Sequence, residues 1–176
     1  MYFVSHLHVR AKEFCFAVVY ASELAIACLI SYSIATYLLS HLISATPADD
    51  LLGGMWATIA TVFVYRTSID ASVTAALSRV ASTAVSFLLC QLYLVVFPFS
   101  AWGLVILIGL GSVIVTLLNR RGDIVTTCIT ISVVMVAAGL SPSEAWLQPM
   151  LRLFDTCIGV AVAVGFARLA LRRSAS

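Results

Sequence analysis

Apolar residues run along this chain in six long blocks, and polar, turn-forming residues gather between them. The blocks extend from Phe14 to Leu39, Leu51 to Tyr65, Val80 to Phe97, Trp102 to Leu118, Ile124 to Leu140 and Leu153 to Leu171. A helix needs about 20 mainly apolar residues to cross roughly 30 Å of hydrocarbon. Each block therefore predicts a membrane-spanning helix, the second being the shortest. The breaks carry turn chemistry: T-P-A-D-D at Thr46 to Asp50, F-P-F-S at Phe97 to Ser100, N-R-R-G-D at Asn119 to Asp123, and S-P-S-E at Ser141 to Glu144. The pattern predicts an all-α, polytopic membrane protein: one domain of six transmembrane helices over residues 1–176.

Composition removes the soluble alternative. Of 176 residues, 62% are hydrophobic and 10% charged, against about 25% charged in soluble domains. A soluble fold of this size has too little interior for so much apolar surface. The net charge of +2, with no basic run, excludes nucleic acid as a partner. The five cysteines show no C-x-x-C or His/Cys ligand spacing and read as small apolar side chains. The N-terminus lacks the short apolar run and small-residue cleavage site of a removable signal peptide.

With six spans both termini share a side. That side would hold Arg10, Lys12, Arg66, Arg79, Arg120, Arg121, Arg168, Arg172 and Arg173, leaving only Arg152 opposite. An excess of Lys and Arg in short loops marks the cytoplasmic face, so both termini are expected in the cytoplasm. Trp56, Trp102 and Trp146 then fall near the outer interface, where indole rings anchor helices. His6, His8 and His41 occupy end or loop positions.

An offset of 73 residues brings R-V-A-S-T-A-V-S, from Arg79, onto R-L-F-D-T-C-I-G, from Arg152, with Ser68 matching Ser141 upstream. Capping signatures precede both, Thr67-x-x-Asp70 and Ser141-x-x-Glu144 with Pro142 at the first helical position. Each Arg is thus expected about three turns into a long helix. Three spans per half make the repeat inverted, the 3+3 arrangement found in secondary transporters, whose sites lie between the halves near the midplane.

On the third helix Arg79, Thr83, Ser86, Cys90 and Tyr93 share one face; on the sixth, Arg152, Thr156, Gly159, Ala163 and Phe166 do, with Asp155 beside them. Small and hydroxyl residues also make ordinary membrane-helix seams, so the arginines decide the reading. A deep Arg costs about 2.5 to 3.5 kcal/mol, which roughly five leucines offset, unless it snorkels to the interface. Sharing a face with hydroxyls, Arg79 and Arg152 are expected to attract carboxylate near opposite ends of a path lined by Thr83, Ser86 and Thr156. Glu23, inside the first span, must be protonated, face water, pair with an Arg or accept a structural hydrogen bond. Asp155 is placed for a local ion pair with Arg152; proton-coupled export, as against a passive pore, would turn on Glu23, with Asp155 the other candidate carboxyl. Metalloprotease, hydrolase and P-loop signatures do not occur, so neither an enzyme nor a metal or cofactor is expected.

M-W-A-T-I-A-T-V-F-V from Met55, the Arg79 to Ser86 segment and R-L-F-D-T-C-I-G-V from Arg152 resemble the fusaric acid resistance (FUSC) and aromatic acid exporter superfamily, which includes plant aluminium-activated malate transporters. Its pattern reads roughly R-x-x-G-T-x-x-G. Arg152, Asp155, Thr156 and Gly159 follow it, while Ser82 and Ser86 stand where glycine is usual. The resemblance implies an inner-membrane transporter or channel for small organic, including aromatic, anions. It also implies a stand-alone membrane half that pairs with a second copy, a dimer being favoured, with Gly103, Gly109 and Gly111 available for close packing. The alternative is a non-transporting membrane subunit in which the polar faces only join helices.

Overall fold

The computed structural model describes residues 2–42 and 47–174, with side chains described at 13–38, 40–41 and 47–170. Thr46 and the side chains of His6, His8, Arg10, Lys12, Arg172 and Arg173 lie outside the described residues. Six helices follow in order: α1 (Tyr2–Leu42), α2 (Pro47–Val64), α3 (Ile69–Val96), α4 (Ala101–Leu117), α5 (Ile124–Leu140) and α6 (Leu147–Ser174). The segments Glu13–Leu38, Ile69–Val96, Arg121–Leu140 and Leu147–Ala170 are long and apolar enough to cross a membrane, and Ala101–Leu117 is a shorter apolar helix. The chain is an all-α membrane protein.

Local chemistry sets the helix ends. Ser68 caps α3, its hydroxyl accepting from Ala71 N, so the cap falls one residue after the expected Thr67. Ser100 caps α4 in the same way through Gly103 N. After α4, Asn119 takes a left-handed backbone at φ 58°. Asn119 N bonds Thr116 O and Arg120 N bonds Val115 O, a Schellman closure that turns N-R-R-G-D into a sharp reversal.

The sixth helix departs from expectation. Ser141 makes no side-chain cap, and Pro142–Glu144 form one isolated 3-10 turn before α6 begins at Leu147. Arg152 therefore sits about one and a half turns into its helix, whereas Arg79 sits nearly three turns into α3. Both helices begin well before the arginines, which are buried inside the bundle rather than marking its edge.

The packing scheme is two-fold. α2 packs on α1 and α6 as α5 packs on α4 and α3; α1 meets α6 as α4 meets α3; α2 meets α3 as α5 meets α6. Exchanging α1–α3 for α4–α6 leaves the scheme unchanged, with the mutual contact of α3 and α6 at its centre. Because each half has three helices joined by short turns, the halves run in opposite directions, as the 73-residue offset predicts. Seams form at small residues. A Cβ on Gly159 would come within 2.3 Å of Ala57 O, so α6 can lie this close to α2 only through glycine. Thr61 Oγ1 donates to Gly159 O across that seam at 3.2 Å.

Large apolar side chains such as Leu92, Leu117 and Leu140 point outward, the belt that lipid covers. Two apolar clusters fill the interior: one built on Cys90, Leu107, Ile131 and Met135, the other on Val64, Tyr65, Ala76 and Ala163.

Candidate functional site

The two arginines converge. Arg79 from α3 and Arg152 from α6 line one crevice together with Trp56 of α2, Thr130 and Val133 of α5, and Thr156 of α6. They do not stand near opposite ends of a path, as their repeat-related positions suggested. The contact between α3 and α6 brings the two side chains to one crevice. Arg79 is 4% exposed and Arg152 3%, so neither snorkels.

Their surroundings differ. Arg152 Nη1 lies 3.1 Å from Asp155 Oδ2, the expected local ion pair, in a geometry that does not align a hydrogen bond. It also donates to Leu52 O at 3.2 Å, and Asp49 adds a second carboxylate field. Asp49 in turn accepts from Gln148 Nε2 at 3.2 Å. Arg79 has no carboxylate among the described residues; its guanidinium carbon lies 5.0 Å from the centre of the Phe63 ring, a cation–π contact. Arg79 Nε, Arg152 Nε and Nη2, both Asp155 oxygens and Trp56 Nε1 are buried with no hydrogen-bond partner among the described residues. Most buried polar atoms are satisfied, so this cluster of unmet N–H donors and carboxylate acceptors stands out.

The crevice takes in about 200 Å³, the part open to the outside included, and is nowhere wide enough for a water molecule. Two further hollows border it, each sharing one lining residue with it. Through Arg79 it adjoins a recess lined by Phe63, Arg66, Ala75, Ser78, Arg79 and Thr126. Through Val133 it adjoins an apolar groove lined by Leu52, Ser132, Val133, Val136, Ala137 and Leu140. Recess, crevice and groove follow one another along α5, from Thr126 through Thr130 and Val133 to Leu140, and along α2, from Phe63 through Trp56 to Leu52. These two helices make no extensive contact with each other.

Of the remaining candidates, Thr156 lines the crevice, while Thr83 and Ser86 are buried on the same face of α3 outside its lining. Ser86 Oγ donates to Ser82 O at 2.8 Å and Thr127 O at 3.2 Å, stitching α3 to α5. Glu23 lies away from the crevice and accepts from Tyr65 Oη at 2.7 Å. Trp102 and Trp146 are exposed, but Trp56 is 8% exposed and walls the crevice, a correction to its expected place as an anchor. Gly103 packs on Tyr93, and Gly111 on Ile131 and Thr127, inside the chain; only Gly109 of the three faces open space. Phe63, Thr130, Val133 and Asp49 carried no signal of their own, although Trp56 and Phe63 both belong to the resembling M-W-A-T-I-A-T-V-F-V stretch. Among the described residues no group of three His, Cys, Asp or Glu side chains could hold a metal ion.

The family model described as fusaric acid resistance protein-like matches residues 30–166. No curated protein and no solved structure matches the chain.

Proposed function

The chain belongs to the fusaric acid resistance protein-like family, a family of membrane transporters, and from that premise we propose that it moves small organic anions, including aromatic carboxylates, along the cleft between α2 and α5. The observation that supports this reading is the meeting of two buried guanidinium groups in one crevice that shares Arg79 with a recess and Val133 with an apolar groove. Two forks of N–H donors suit a carboxylate. Thr130, Thr156 and the Trp56 N–H offer further polar contacts, and the groove accepts an apolar body. Passage requires α2 and α5 to part, since the crevice is too narrow for water. Little direct α2–α5 contact has to break in that motion, which instead shifts α2 against α1 and α6 or α5 against α3 and α4.

In this reading the α2–α3 and α4–α5 turns, with Arg66, Arg120 and Arg121, face the cytoplasm together with both termini, and the membrane is the inner one. A second copy seals the open flank of the cleft, a dimer being the simplest closed assembly. The test is benzoate flux into reconstituted vesicles. Wild type is expected to conduct, and Arg79→Gln and Arg152→Gln to reduce flux tenfold or more; flux that both variants leave intact would defeat the proposal.

The second reading, a non-transporting membrane subunit, draws on the seams. Ser86 to Thr127 and Thr61 to Gly159 show hydroxyls joining helices. A wild-type chain that folds, assembles and conducts nothing would favour it.

A further inference from the structure

We propose that the recess beside Arg79 is a second anion subsite, where an organic carboxylate docks between Arg66 and Arg79 before it enters the crevice. The inference rests on the transport reading above and names the place where the cargo first meets the protein.

Four observations carry it. First, the recess offers a cavity of about 110 Å³, smaller than the roughly 300 to 1,000 Å³ of drug-sized sites and suited to a small carboxylate. Second, two arginines share its wall without a carboxylate between them. Among the described residues Arg66 Nη1 donates to main-chain carbonyls, Val62 O at 3.3 Å and Tyr65 O at 3.0 Å. Arg79 has no acid partner among the described residues. The carboxylate that reaches this wall is Asp123, and it is already engaged: it accepts from Ser78 Oγ and pairs with Arg120 at 3.4 Å.

Third, Phe63 positions Arg79 without using any of its N–H donors. An arginine seated over an aromatic face is fixed by the ring's quadrupole and keeps its fork for an oxyanion. The ring also gives the apolar part of a carboxylate something to lie on. Fourth, Arg79 is the residue common to the linings of recess and crevice. A carboxylate held by Arg66 and Arg79 need not leave Arg79 to reach Arg152; it exchanges one guanidinium for another. The ligand class that fits is a small monocarboxylate with a flat or compact apolar body.

The test uses 4-nitrobenzoate and a chain in which Trp102→Phe and Trp146→Phe leave Trp56 as the remaining tryptophan of three. Nitroaromatics quench indole fluorescence at near contact, so Trp56 reports on the crevice while calorimetry reports on all binding. In the detergent-solubilised protein two binding events are expected. Arg66→Gln should remove one of them from the heat, weakening it tenfold or more, and leave the Trp56 quenching curve in place, whereas Arg66→Lys should restore most of the lost binding. Arg66 is exposed, so the variant keeps its fold.

The subsite is overturned if wild type gives no heat, if Arg66→Gln leaves the heat unchanged, or if heat and quenching weaken by the same factor, which means one site. The opposite pattern separates this inference from the transport reading. Binding that depends on Arg66 with Trp56 never quenched would keep the recess and remove the crevice from the path.

Discussion

Arg79 and Arg152 match in the sequence at an offset of 73 residues, yet the protein treats them differently. Arg152 is tied down by Asp155, by Leu52 O and by the field of Asp49. Arg79 rests on an aromatic ring with no acid facing it among the described residues. The position in the repeat that supplies Asp155 beside one supplies Ser82 beside the other, and Ser82 spends its hydroxyl on Arg79 O. One arginine is thus already half-neutralised within the protein, and the other holds an uncompensated charge in the same crevice. A guest anion gains more from the second, since it need not displace an internal carboxylate to reach it.

The largest expected effect tests the tied side. Asp155→Asn leaves Arg152 buried without its pair, and breaking a buried pair from one side costs about 3 to 5 kcal/mol. Thermal unfolding in detergent should show a large drop. Arg79→Gln removes no pair, so it should lower the midpoint far less while reducing benzoate flux tenfold or more. If the two variants destabilise equally, Arg79 has a hidden partner and the contrast between the two sites fails.

The seams differ in the same sense. Gly159→Val drives a side chain into Ala57 O, a backbone atom that cannot swing away. Overpacking costs about 1 to 3 kcal/mol and occasionally more. The matching residue in the first half, Ser86, already carries a side chain and uses it to bond Thr127 O. Ser86→Ala should cost only about 1 kcal/mol, read by the same melting experiment. A Gly159→Val chain as stable as Ser86→Ala would mean that α2 and α6 are not held at the distance described.

An effect of similar size is expected in the first half at Tyr65. Its hydroxyl donates to Glu23 and joins α1 to the end of α2, so Tyr65→Phe should cost about 1.5 to 3 kcal/mol if the carboxylate is ionised and nearer 1 if it is protonated. Flux should persist, because neither residue lines the crevice. Flux lost with stability kept would instead give the Glu23–Tyr65 bond a part in transport.

What could be read from the amino-acid order follows physical range. The helices, the 73-residue offset and the Arg152–Asp155 pair depend on local hydropathy and i, i+3 spacing, and each was visible. The convergence of Arg79 and Arg152 was not, because it depends on where two helices cross. The S-P-S-E signature looked like the start of α6, but Ser141 is the last residue held by α5, its N–H bonding Ala137 O. The chain then needs Pro142–Glu144 and the residues up to Leu147 to turn round. Trp56 was placed at an interface because indole usually goes there; the cleft between α2 and α5, which no local pattern encodes, buries it instead.

The smallest expected effect is the most direct probe of the looser arginine. Phe63→Leu keeps an apolar side chain on α2 but removes the ring under Arg79, and a cation–π contact is worth about 0.5 to 2 kcal/mol, with Trp a better partner than Phe. Arg79 then samples more orientations, so its fork meets a carboxylate less often. The benzoate concentration for half-maximal flux should rise about two- to tenfold, with the maximal rate little changed and the melting point nearly that of wild type. Phe63→Trp should move the half-maximal concentration the other way. Should Phe63→Leu instead destabilise the protein as much as Asp155→Asn, the ring would be holding Arg79 as firmly as the carboxylate holds Arg152, and the two arginines would be equivalent after all.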